Sequence, residues 1–101
     1  MTLEEFEEKI VDWGTQRGIL PNVDMIAQFN KTMEETQELA QGIISQNKAE
    51  VRDAIGDIFV TLVMQTRAWD IDMNECVAQA WNDIKDRKGK MVDGMFVKEA
   101  E

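Results

Sequence analysis

Histidine is missing from all 101 residues, and Cys76 is the only cysteine. Without a cluster of these ligands an ordinary zinc site is excluded, and a lone cysteine closes no intrachain disulfide. Its single thiol suits a reducing compartment. One proline and six glycines argue against a loop-rich or disordered chain. Tyrosine is absent and methionine occurs seven times, a balance that fits helix better than sheet. Positive charge is scarce: eleven basic residues face twenty acidic ones, a net charge of −9. Nucleic acid is therefore not an expected partner without a segregated basic face. No apolar run approaches the ~20 residues that span a bilayer. The start, MTLEEFEEKI, is acidic where a secretory signal would be basic. These absences leave a soluble cytoplasmic protein with no membrane partner, one domain over residues 1–101.

What is present reads as helix. Thr2 with Glu5 three residues on forms a capping-box pattern for a first segment ending near Gly18. Leu3, Phe6, Ile10 and Trp13 make its apolar stripe. A second segment runs from around Asn22 to about Ser45, with Ile26, Phe29, Met33, Ala40 and Ile43 on one side. A third opens at Asn47, with Glu50 at the same capping spacing, and continues to about Trp69. Asp72 and Glu75 open a fourth, which reaches about Arg87. The spacing predicts an all-α, four-helix, bundle-like fold. Its irregular tail, from about residue 88, carries an Asp93-Gly94 turn signal that allows a short hairpin.

The stretch DAIGDIFVTLV, residues 53 to 63, sets two aspartates on a helix that is apolar nearly all round. Glu50, Asp53 and Asp57 fall within roughly 60° of one another on the wheel. On the preceding helix MEETQELA, residues 33 to 40, places Glu35 and Glu38 at i, i+3. Two readings stand: solvated acids at an exposed helix end, or two acid pairs facing each other across an antiparallel packing. In the second, carboxylates about 5 Å apart repel by roughly 3 kcal/mol at an effective dielectric of about 20, and the set needs protons or a cation. Oxygen ligands of this kind suit Mg²⁺ or Mn²⁺. DIDMNE, residues 70 to 75, imitates a calcium loop but has Glu75 where the turn needs glycine, so Asp72 is a helix cap. Neither a GxxxxGK[ST] loop nor a GxGxxG turn occurs.

Lys85, Arg87, Lys88 and Lys90 gather four of the eleven basic residues into IKDRKGK. At the end of a helix they answer its dipole, worth only ~0.3–1 kcal/mol each. Beside an acid-bound metal the same residues would neutralise a polyphosphate. Trp69, Trp81 and Phe96 are either core or stacking surfaces for a base.

With both halves quoted, the chain resembles the MazG-like all-α nucleoside triphosphate pyrophosphohydrolases, and most of all their small, often phage-encoded, single-domain members. The likeness runs from about Trp13 to Lys98. It rests on EETQEL (Glu34, Glu35, Glu38), on EVRDAIGD (Glu50, Asp53, Asp57), on the GDIFVTL context and on RKGKMVDGMFVKE. The family pattern pairs ExxE with ExxD. Here Ala54 stands where the common form has Glu, which leaves Asp53 or Glu50 to take its place.

The resemblance implies Mg²⁺-dependent cleavage of an NTP or dNTP to the monophosphate and pyrophosphate. Its expected metal ligands are Glu35, Glu38, Asp57, Asp53 and Glu50, with Glu35, Glu38 and Asp57 catalytic. Lys85, Arg87, Lys88, Asn82 and Trp69 would contact the substrate. It also implies a homodimer or homotetramer, in agreement with a third helix too apolar for one small monomer to cover. A phage-encoded member would work in the host cytoplasm. The rival readings are a non-enzymatic helical interaction protein and a degenerate, nucleotide-binding member of the family.

Overall fold

Residues 1–99 are described in a computed structural model of the chain: four helices followed by one hairpin. The helices are α1 (Leu3–Gln16), α2 (Met25–Ile44), α3 (Lys48–Ala68) and α4 (Met73–Ile84). The strands are β1 (Gly89–Val92) and β2 (Met95–Lys98). The all-helical body follows the pattern of the sequence, and the tail departs from it by being regular rather than irregular. Its final two positions, 100 and 101, lie outside the described residues.

Each helix starts where a side chain satisfies the free backbone donors of its first turn. Thr2 Oγ1 accepts from the Glu5 N–H at 3.1 Å, and Glu5 answers the Thr2 N–H, completing the capping box. Asp24, rather than Asn22, caps α2 by accepting from Ile26 and Ala27. Asn47 and Asp72 cap α3 and α4 through the N–H groups of Glu50 and Glu75. The first three helices end alike, on a left-handed residue: Gly18 (φ 79°), Gln46 (φ 56°) and Asp70 (φ 54°). After each, the next N–H turns back to a carbonyl of the last turn, as in Ile19 to Gly14, Asn47 to Gly42 and Ile71 to Thr66.

Packing centres on the antiparallel pair α2 and α3. Gln65 Nε2 donates to the Met25 carbonyl, and Gln28 Nε2 to that of Thr61. The Thr32 hydroxyl donates to Thr61 Oγ1 at 2.9 Å. At the far end Gly42 lets the helices approach closely: a methyl there would lie 3.2 Å from the Val51 backbone. α1 crosses the other side of α3, where Gly14 leaves room for Met64. The buried Glu7 ties three helices together, accepting from Arg67 Nη2 at 3.1 Å and from the Met73 N–H at 3.2 Å.

The buried apolar core is small: Leu20, Ala54, Val63 and Met64. The stripe expected to bury α2 does not do so within this chain, since Ile26 is 72% exposed and Phe29, Met33 and Ile43 are also open. α3 occupies one flank of α2, and nothing else among the described residues covers its outer face. No described helix is long and apolar enough to cross a membrane.

Candidate metal centre

The register of α2 against α3 decides which acids meet. Pairing Met25 with Gln65, Thr32 with Thr61 and Gly42 with Val51 sets Glu35 and Glu38 opposite Asp57. One carboxylate oxygen from each of the three lies within 4.8 Å of the others. Glu35 is 8% exposed, Asp57 half-buried and Glu38 open, so the cluster has a buried floor and a solvent side.

Its electrostatics follow from that crowding. Glu35 Oε2 is buried with no hydrogen-bond partner among the described residues. The Glu35 carboxyl is held above the ordinary carboxylate range. A hydrogen bond with Glu38 contributes most, burial next, and then the charges of Glu38 and Asp57, while Lys31 opposes them. Lys31, one turn earlier, brings its Nζ within 3.8 Å of Glu35 and 3.3 Å of Glu34. An exposed ammonium on one side is a weak counter-charge for three carboxylates. Three oxygen donors, one carrying a buried and unpartnered lone pair, fit a hard divalent ion such as Mg²⁺ or Mn²⁺.

Asp53 and Glu50 stand beside this cluster and outside it. Both are exposed, and with Glu38 and Gln41 they line a neighbouring polar hollow of about 300 Å³. Ala54 is 2% exposed, so the position where the resemblance led to an expectation of Glu is here a methyl in the core. Asn82, Lys85, Arg87, Lys88 and Trp69 are all exposed. None of them lines the polar hollow or the cavity that touches Asp57. Lys88 instead borders a separate hollow at the hairpin, with Lys90 and Lys98.

Two features escape a reading of the sequence. The first is Lys31, which could have been found because it precedes Glu35 by one helical turn. The second is a cavity of about 360 Å³ between α1 and α3, lined by Phe6, Lys9, Ile10, Trp13, Val60 and Asp57. Phe6, Ile10 and Trp13 read as core from their spacing. They line an open cavity beside an acid because α1 docks at the end of α3 through Glu7 and Gly14.

Comparisons with known proteins point to a family. Residues 26–92, which span both acid-bearing helices, match the MazG nucleotide pyrophosphohydrolase domain. Over 70 residues the chain is 31% identical to an uncharacterised 18.2 kDa protein from the rep–hol intergenic region of Haemophilus phage HP1. That match covers 69% of this chain but 43% of the phage protein. No solved structure matches. A domain match over most of the chain, centred on the helices that hold the acid cluster, makes this protein a member of the MazG nucleotide pyrophosphohydrolase family.

Proposed function

We propose that the protein is a Mg²⁺-dependent nucleoside triphosphate pyrophosphohydrolase, cleaving an NTP or dNTP to its monophosphate and pyrophosphate. The observation that carries this reading is the convergence of Glu35, Glu38 and Asp57 on one point. Mg²⁺, or Mn²⁺ in its place, would be held by these three, with Asp53 and Glu50 in reserve along the adjoining hollow. When bound, such an ion supplies positive charge for the triphosphate and acidifies a water molecule. A carboxylate oxygen not engaged by the ion accepts the proton of the water that attacks the α-phosphorus, and pyrophosphate leaves. Glu35 suits that role through Oε2, which is buried and has no hydrogen-bond partner among the described residues.

The cavity beside Asp57 is of a size that takes a small ligand, and Trp13 and Phe6 offer it flat apolar walls. It is the natural seat for the nucleoside, with Lys9 at its edge toward the phosphates. Lys85, Arg87, Lys88, Asn82 and Trp69 are assigned to the remaining substrate contacts within a homodimer or homotetramer. Ala54 favours a second reading, in which the loss of one family carboxylate leaves nucleotide binding without turnover.

Incubation of the pure protein with single NTPs and dNTPs, in Mg²⁺ or in EDTA, separates these. Pyrophosphate release that needs Mg²⁺ is expected, and Asp57→Asn should abolish it while the helical circular dichroism persists. Binding without product selects the second reading. Wild-type turnover in Asp57→Asn overturns the assignment.

A further inference from the structure

The C-terminal hairpin is built to be covered, and its own chain does not cover it. β1 and β2 pair antiparallel, with Gly89 opposite Lys98, Met91 opposite Phe96 and Val92 opposite Met95. Residues that face each other across the pair share one side. One side therefore presents Met91 and Phe96, and the other presents Val92, Met95 and Val97. Both sides are apolar and both are open: Met95 is 71% exposed and Phe96 51%. Among the described residues the strands pack chiefly on each other. A two-stranded hairpin standing alone in water is marginally stable at best.

Charge indicates what covers it. Residues 85–99 hold five of the eleven basic residues: Lys85, Arg87, Lys88, Lys90 and Lys98. Residues 1–84 hold sixteen of the twenty acidic ones. The hairpin and the helical body thus carry opposite charge, and the body also exposes an apolar stripe along α2, at Ile26, Phe29 and Met33, next to the exposed Glu34 and Glu38. The area agrees. The chain exposes 8118 Å². A folded monomer of 11.6 kDa exposes roughly 5,800 Å². The surplus of about 2,300 Å² exceeds the ~800 Å² per partner of a standard interface.

We propose that the hairpin is an assembly arm that packs on the helical body of a second copy of this chain, with Met91 and Phe96 or Val92 and Val97 on its apolar surface and Lys88, Lys90 and Lys98 against its acids. Lys88 is shared with the substrate contacts proposed above, so the test reads assembly and no turnover.

Sedimentation velocity compares the full-length wild type with Met91→Ser/Phe96→Ser and with Lys88→Glu/Lys90→Glu/Lys98→Glu. The wild type should sediment as a dimer or larger. Both variants should dissociate at least tenfold more readily with unchanged helical circular dichroism, and added salt should weaken the wild-type assembly. A second measurement on the wild type alone guards against misfolded variants. Equal parts ¹⁴N- and ¹⁵N-labelled protein are refolded together and treated with a carbodiimide. Isotopically hybrid cross-links from Lys88, Lys90 or Lys98 to acids of residues 1–84 are the expected result. A monomeric wild type, assembly unaffected in both folded variants, or hairpin cross-links confined to one isotope would each overturn the proposal.

Discussion

Glu35 is where sequence, packing and chemistry meet. Its i, i+3 spacing to Glu38 was legible on the page, and so was the candidacy of Asp57. Which of Glu50, Asp53 and Asp57 would face Glu35 was not, because that depends on the sliding register of two helices. Ala54 illustrates the limit: the sequence shows only that a carboxylate is missing, and its burial shows that core packing occupies the position instead. The raised proton affinity of Glu35 has a definite sign. A carboxyl that binds its proton more tightly when folded costs stability as pH rises from the ordinary carboxylate range through the raised value, and nothing further beyond it. In EDTA, Glu35→Gln should therefore melt above wild type at about pH 8, with the gap closing toward about pH 4. Mn²⁺ should raise the wild-type melting temperature and leave that of Glu35→Gln nearly unchanged, which differential scanning fluorimetry reads directly.

The helices were legible wherever a side chain starts them, since capping is a local affair of two to four residues. Thr2, Asn47 and Asp72 were read correctly; the second start moved from Asn22 to Asp24, the carboxylate that reaches two N–H groups. The turn at Asp93-Gly94 announced itself as well. Both residues have positive φ (50° and 81°), as a two-residue hairpin turn of matching twist requires. What local patterns did not convey is destination: the stripes on α1 and α2 look like core and are largely open in one chain. The end of α2 offers a test at this scale. Gln46 holds a left-handed conformation at φ 56°, where glycine meets no steric penalty. Gln46→Gly should stabilise the fold by about 1 kcal/mol. For a domain this size that raises the midpoint by roughly 4–8 °C, measurable by thermal circular dichroism.

As a whole the molecule is expanded for its length. Its radius of gyration is 16.1 Å, against about 13 Å for an ordinary domain of this length. Four buried apolar side chains make a thin core for a body that exposes Trp13, Phe29, Trp81 and Phe96. Stability should then depend on concentration, because a partner that binds only the folded form contributes by mass action. The melting temperature should climb as the protein concentration is raised, and a fixed midpoint would mark a self-sufficient monomer. Sequence composition could announce excess apolar surface, but not which surface, since that emerges only after the helices have chosen their faces.

The pairing of α2 with α3 has a kinetic consequence. All three clustered acids lie within one helical hairpin, and the loop that joins its helices is short. Pairs this close in sequence close a smaller loop than the docking of α1 on α3 does, and are expected to form before it. Without an ion the first tertiary encounter of the folding chain is thus a meeting of like charges, and the repulsion falls on the barrier itself. A divalent ion that joins at that stage lowers the barrier, so its effect appears mainly as faster folding and only secondarily as slower unfolding. The protein would then close around its site first and dock the remaining helices on a centre already made.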